Sequence, residues 1–100
     1  VDRYISPDYV QHSSLAPPGR DSLKAFLDML RVRSPDASSD IKRAFVDGDF
    51  VVVHVHVKRH PGDLGLAVVD IFRVDDRYIL EHWDVLMEVP ANPVNANSMF

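Results

Sequence analysis

Two rhythms of apolar positions divide this chain. Leu23, Phe26, Leu27 and Leu30 recur at i, i+3, i+4 and i+7, the stripe of an amphipathic helix. Asp21 or Ser22 is placed to cap its start. Arg31 and Arg33 suit the negative end of its dipole, and Pro35 stops further winding. From Asp40 onward the period is two. Asp40 to Val46 and Phe50 to Arg59 predict one β-hairpin with Asp47-Gly48-Asp49 at its tip. Ala67 to Val85 predicts a second, turning at Asp75-Asp76-Arg77. Before the helix, Val1 to Tyr9 is short and broken by Pro7, which disfavours helix at Ser6, and a short extended piece runs over Tyr9 to Ser13. Ala16-Pro17-Pro18-Gly19 is a turn. The final stretch from Met87, with Pro90 and Pro93, is irregular, but its apolar end, Met99-Phe100, predicts that it packs rather than floats.

Register decides which residues of a hairpin share a face, because a slip of one residue turns every side chain over. A three-residue turn at Asp75 to Arg77 pairs Val74 with Tyr78, Phe72 with Leu80 and Asp70 with His82. One face then carries Val68, Asp70, Phe72, Leu80, His82, Asp84 and Leu86, an apolar wall with an acid-imidazole-acid set. The other carries Val69, Ile71, Arg73, Ile79, Glu81, Trp83 and Val85. In FVVVHVHVKR, valines alternate with His54 and His56. If the loop at His60-Pro61-Gly62-Asp63 pairs Lys58 with Leu66, His54 lies opposite Asp70 and His56 opposite Val68.

DIFRV followed by EHWDV resembles the SnoaL-like polyketide cyclases, within the nuclear-transport-factor-two-like superfamily that also holds ketosteroid isomerase. It is most similar to a bacterial branch described as SnoaL-like aldol-condensation enzymes. Tyr9-Val10-Gln11-His12 and Asn95-Ala96-Asn97-Ser98-Met99-Phe100 match motifs near the two ends of that branch, so the resemblance spans nearly the whole chain. Arg77 departs from it, standing where the family has glycine at the hairpin tip. The resemblance implies an α+β cone: a curved antiparallel sheet with helix packed on its concave face and a pocket between them. That fold opens with a further helix, which a chain starting at Val1 is expected to have lost in whole or part, with Val1 to Tyr9 as its remaining tail.

The remaining bulk properties narrow the function. One hundred residues make a single domain, residues 1–100. A net charge of -4 without a basic run argues against nucleic acid. The lack of Cys removes disulfides and thiolate chemistry. No apolar run is long enough for a membrane span, and a cytoplasmic setting is expected.

Three readings of the chemistry stay open. The first is an enzyme moving a proton at carbon next to a carbonyl, without cofactor, on a small apolar ligand. Desolvation raises a carboxylate's pKa and makes it a base usable near neutral pH. On this reading Asp84 is the base, His82 its hydrogen-bonding partner, and Asp70 orients an imidazole. The His82-x-Asp84 pair is what the cyclase resemblance carries over. Gln11, His12, His54, His56 and Phe72 are the expected substrate contacts. The second reading is a non-catalytic binding or dimerisation module. The third, a metal site of His54 and His56 with His82 and Asp84, is the least expected, and no metal is assigned. A buried polar cluster satisfied by its own bonds would equally explain Asp70, His82 and Asp84. The apolar face bearing Val69, Ile71, Trp83 and Val85, extended by Val51, Val53 and Val55, predicts a homodimer.

Overall fold

The computed structural model describes residues 3–100; Val1 and Asp2, the start of the expected helical tail, lie outside them. Strand β1 (Ile5–Gln11) is followed by helix α1 (Arg20–Arg33). Then come β2 (Ser38–Asp47), β3 (Phe50–Lys58), β4 (Leu66–Val74) and β5 (Ile79–Glu88). They form one sheet in the order β1-β5-β4-β3-β2. The class is α+β, and the sheet is open. It is mixed rather than wholly antiparallel, because β1 lies parallel to β5.

The segment expected to end a helix is therefore a strand. Pro7 fits there because the ladder is interrupted between Ile5 and Val10, where a missing N–H costs nothing. The start of α1 also differs from expectation. Gly19 is the residue before the helix, at φ +82°, and no side chain caps it. Its carbonyl instead accepts from Leu23 N–H. The helix meets the sheet at β1. Leu23 and Phe26 are half-buried, whereas Leu27 and Leu30 are more exposed.

The central hairpin turns more tightly than expected. Asp75 and Tyr78 face each other, with Asp75 N–H donating to Tyr78 O across Asp76-Arg77. The Asp75 carboxylate holds the tip by accepting the backbone N–H of Arg77 and Tyr78. No described residue other than glycine has positive φ, so Arg77 fits without a left-handed turn. A two-residue turn alone would have put Asp70 opposite Trp83. The ladder instead shifts by one between Val74↔Ile79 and Arg73↔Glu81, so that Leu80 is a bulge on β5. Beyond it Phe72 pairs with His82 and Asp70 with Asp84. The two departures from the expected turn restore the expected faces. The pairing of Asp70 with His82 moves by two residues to a diagonal one.

The β3–β4 register is corrected by one residue. Val57 pairs with Leu66, so Val53 lies opposite Asp70 and His54 opposite Val69. Gly65 makes this possible. It sits at φ +91°, and a Cβ there would run into the Val57 carbonyl and the His56 ring. Consequently Val51, Val53, Val55 and Val57 join Val68, Asp70 and Phe72 on one face. His54 and His56 go to the other, with Val69, Ile71 and Trp83. The first face, here called inner, holds the deepest part of the core: Val55, Val68 and Tyr9 are each 6% exposed.

Candidate functional site

Four side chains expected to act together meet on the inner face: Asp70 from β4, His82 and Asp84 from β5, and Gln11 from β1. Alternation puts the first three on one side, and the parallel pairing Gln11↔His82 brings the fourth. His82 Nε2 lies 2.7 Å from Asp70 Oδ1, and its Nδ1 lies 2.8 Å from Gln11 Oε1. The His82 and Asp70 side chains are 13% and 21% exposed, so these bonds are partly shielded from water. Phe72 stacks on the His82 ring with centroids 4.8 Å apart and closes one side of it.

The protons of this chain can be assigned from one unambiguous donor. Ser13 backbone N–H donates to Gln11 Oε1 at 3.0 Å, which fixes that atom as the amide oxygen. His82 Nδ1 must then carry a hydrogen. A bare imidazole nitrogen and a carboxylate oxygen do not approach to 2.7 Å without a proton between them. His82 and Asp70 therefore hold one shared proton in addition to the one on Nδ1. Asp84 is different. It sits directly across the ladder from Asp70 and makes no hydrogen bond or ion pair with any described residue.

Tyr9 belongs to the same cluster, a residue that sequence reasoning quoted in a motif and assigned no role. Gln11 Nε2 donates to its hydroxyl oxygen at 2.9 Å. Burial, above all, and the nearby charges of Asp70 and Asp84 push the phenol up to about 12, so it remains protonated. The signal that could have found it is the i, i+2 spacing of Tyr9 and Gln11, which places both on one face of a strand.

His12, His54 and His56 do not join them. They stand on the outer face, and each has its own partner there. The His12 ring lies flat on Trp83, centroids 4.8 Å apart and 3° from parallel, and its Nε2 bonds Glu81 Oε2 at 2.6 Å. The other oxygen of Glu81 accepts from Arg73 Nε at 2.8 Å. Both bonds, that to Arg73 first, hold the Glu81 carboxyl below its usual range. His54 is bonded by Arg43, and His56 donates to Leu64 O at 2.8 Å. Phe100 stacks on both imidazoles, at 5.6 and 4.1 Å, so the end of the chain is seated on the sheet. The expected metal set of His54, His56, His82 and Asp84 is thus divided between two faces. Asp70, His82 and Asp84 could each offer one ligand atom, all within 4.8 Å of one another. Two of those atoms are already bonded to each other.

A groove of about 350 Å³ runs beside Asp84, lined by Ser14, Leu15, Asp84, Val85 and Leu86, where β1 has ended and the edge of β5 is free. Asp84, which has no hydrogen-bond or ion-pair partner among the described residues, is part of its wall. Among the described residues no helix is long and apolar enough to cross a membrane.

Comparison with known proteins agrees with this architecture. Residues 1–82 match the family model of the SnoaL-like domain. A candidate polyketide cyclase from Acidithiobacillus ferrooxidans has a similar structure at 26% identity and a TM-score of 0.68, over 85% of this chain and 72% of that one. A loop-truncation variant of IdmH aligns at 24% identity and TM-score 0.68, over 83% and 74%. A candidate polyketide cyclase from Bacillus cereus aligns at 23% and 0.67, over 82% of this chain and only 58% of its own length. No curated protein matches the sequence. The family match covers most of the residues that build the sheet and reaches His82, and the chain belongs to the SnoaL-like domain family.

Proposed function

We propose that the inner face is the active site of a cofactor-independent enzyme that takes a proton from carbon next to a carbonyl, as a cyclisation, aldol condensation or isomerisation requires. The observation that carries this reading is the Asp84 carboxylate, without a hydrogen-bond or ion-pair partner among the described residues, beside a His82 ring whose two nitrogens are both engaged. A base needs an open lone pair aimed at the substrate. Asp84 offers one at the groove; Asp70 has spent one oxygen on His82. His82, bonded through its two nitrogens to Gln11 and Asp70, holds Asp70 in place beside Asp84 and leaves the proton transfer with carbon to Asp84. The likeness to proteins described as candidate polyketide cyclases supports the same class of ligand, a small apolar carbonyl compound.

The test is exchange of the α-protons of small ketones and β-keto esters in heavy water, followed by NMR. Exchange by the wild type should fall by roughly 10²- to 10⁴-fold in Asp84→Asn. Exchange that survives in that variant and is abolished in Asp70→Asn would reverse the two carboxylates. No exchange with any of a broad ketone panel would turn the reading to a non-catalytic binding module on the same fold.

The outer face supports a second part of the proposal, a homodimer. Val10, Val69, Val85 and Met87 are 44%, 39%, 74% and 58% exposed around the His12–Trp83 stack. A patch of that kind on so small a domain marks an interface. Val51, Val53 and Val55 are not part of it, since they face inward. Light scattering at micromolar concentration should give twice the chain mass, and monomer mass alone would remove this part.

A further inference from the structure

Resting on the reading of the inner face as the active site, we infer that the substrate carries an acylamino group on the carbon that loses the proton. It is an N-acylaminoketone, laid along the free edge of β5 and gripped there by the backbone of Asp84. The direction of that backbone follows from its neighbours. His82 O accepts from His12 N–H on the β1 side, and Val89 N–H donates to Gly65 O on the β4 side. Successive residues of a strand turn their N–H and C=O to opposite edges. Beyond the Leu80 bulge the even-numbered residues of β5 therefore face β1, and the odd-numbered ones face β4. The ladder with β1 ends at Gln11↔His82. Asp84 N–H and C=O thus point out of the edge together, and no described residue bonds them.

An open edge attracts another strand unless something blunts or covers it. On the far side of the sheet β2 is interrupted between Ile41 and Arg43 and carries Lys42 there, a common way of blunting an edge. The edge of β5 has no such break between Glu81 and Glu88. It forms instead the wall of the groove of about 350 Å³, beside the turn at Ser14 and Leu15. That volume is at the low end for small-molecule sites, and the open edge runs only from Asp84 to the end of β5 at Glu88. Both fit one strand-like unit better than a length of peptide. In an antiparallel pair, two opposite residues exchange both of their backbone hydrogen bonds. A ligand that does this with Asp84 needs an N–H and a C=O on either side of one carbon. A lone amide fails, because its N–H and C=O point to opposite sides. The carbon between them then stands about 5.5 Å from the Asp84 Cα, the spacing of a hydrogen-bonded pair. One of its hydrogens lies on the inner face, within the span of the Asp84 side chain. The ligand N–H donates to Asp84 C=O, and its ketone oxygen accepts from Asp84 N–H. The carboxylate takes the proton, the electron pair of the broken C–H bond moves to the ketone oxygen, and a proton given back by the carboxyl restores the ligand. Leu15 and Leu86 offer the acyl end an apolar surface.

The probes are N-acetylaminoacetone and acetoxyacetone, in which an oxygen replaces the N–H. Titration followed by NMR of the backbone amides should move the Asp84 and Leu86 signals with the first. Acetoxyacetone should bind roughly 2- to 10-fold more weakly, the loss of one hydrogen bond. In heavy water the methylene protons of N-acetylaminoacetone should exchange faster than those of acetoxyacetone, each rate being divided by that in buffer alone. Asp84→Asn keeps the backbone grip and loses the base. It should bind N-acetylaminoacetone as tightly as the wild type and exchange it roughly 10²- to 10⁴-fold more slowly. Ser14→Trp, in an exposed turn on the groove wall, should abolish binding while the amide spectrum shows the fold intact. Movement of the Asp84 signal and the preference for N-acetylaminoacetone, with no exchange of any ketone, uphold the ligand class and remove only the proposed proton chemistry. Exchange of simple ketones together with equal binding of the two probes would keep that chemistry and overturn the class. Signals that move only elsewhere in the sheet, or binding that survives Ser14→Trp, would also overturn it. So would tighter binding of N-acetyl-triglycine amide than of N-acetylaminoacetone, which would make this edge a docking strand for peptide.

Discussion

The two faces of this sheet carry nearly the same chemical groups and use them differently. The inner face has one imidazole and two aspartates; the outer has three imidazoles and Glu81. Outside, each of these is closed off: His12 by Trp83 and Glu81, Glu81 by Arg73, His54 by Arg43, His56 by Leu64 and Phe100. Inside, the set is incomplete. Among the described residues, Asp84 has no hydrogen-bond or ion-pair partner and none accepts the Tyr9 proton. Residue type therefore does not separate a candidate site from a structural network. The unspent valences do.

Breaking the inner set should have the largest effect. Beyond the loss expected for Asp84→Asn, Asp70→Asn removes the carboxylate that shares the His82 proton and should slow α-proton exchange about 10²-fold, the lower range for an acid-base partner. Glu81→Gln, one residue from His82 but on the outer face, should leave the exchange rate within about twofold, as expected for a surface pair of small net worth. Comparable losses from both variants, by NMR of the same ketones, would end the distinction between the faces.

Next comes assembly. Trp83→Glu places a charge in the outer apolar patch and should convert the proposed dimer to monomer in light scattering, while the inner hydrogen bonds keep the exchange rate of a correctly folded chain. A smaller effect is expected at Gly65, which holds the register that sorts the two faces. Gly65→Ala forces a Cβ against the Val57 carbonyl at positive φ. It should cost about 1–3 kcal/mol, a fall in Tm of several degrees by thermal melt.

The smallest effect concerns acid. Asp63 accepts from Arg59 and from the backbone N–H of Arg59 and Gly65, and these bonds hold its carboxyl far below the usual range. A carboxyl depressed in the folded state stabilises it above the unfolded pKa, near 3.9 for Asp. That contribution is lost as pH falls towards the folded pKa. Urea midpoints should therefore drop on going from neutral pH to about pH 3, and Asp63→Asn should drop less. Equal drops would show that the loop at residues 59–65 does not set this slope.

How much of this was legible beforehand depends on the element. The helix stripe and both hairpins follow directly from period and turn chemistry. The faces of β4 and β5 were also readable, because alternation survives any even shift. Two unforeseen features, the tighter turn and the Leu80 bulge, add to such a shift. The face of β3 was not readable. Its register hangs on the loop from Arg59 to Gly65, whose effective length is set by Asp63 hydrogen bonds and the positive φ of Gly65, and one residue of error there moved His54 and His56 to the wrong side. Gln11 reached the site through a motif, not through any pattern in its own strand. Tyr9 was missed because the parallel pairing that brings β1 to β5 leaves no trace in the sequence; only its i, i+2 spacing from Gln11 could have linked the two.

The Leu80 bulge gives the hairpin something like a reading frame. Were Leu80 to pair with Arg73 as a regular ladder residue, Trp83 would lie opposite Asp70, His82 and Asp84 would turn outward, and Trp83 and Val85 would turn in, while every strand kept its length and composition. Deleting Leu80 outright should leave both faces as they are, because Ile79 would still pair with Val74 and Glu81 with Arg73.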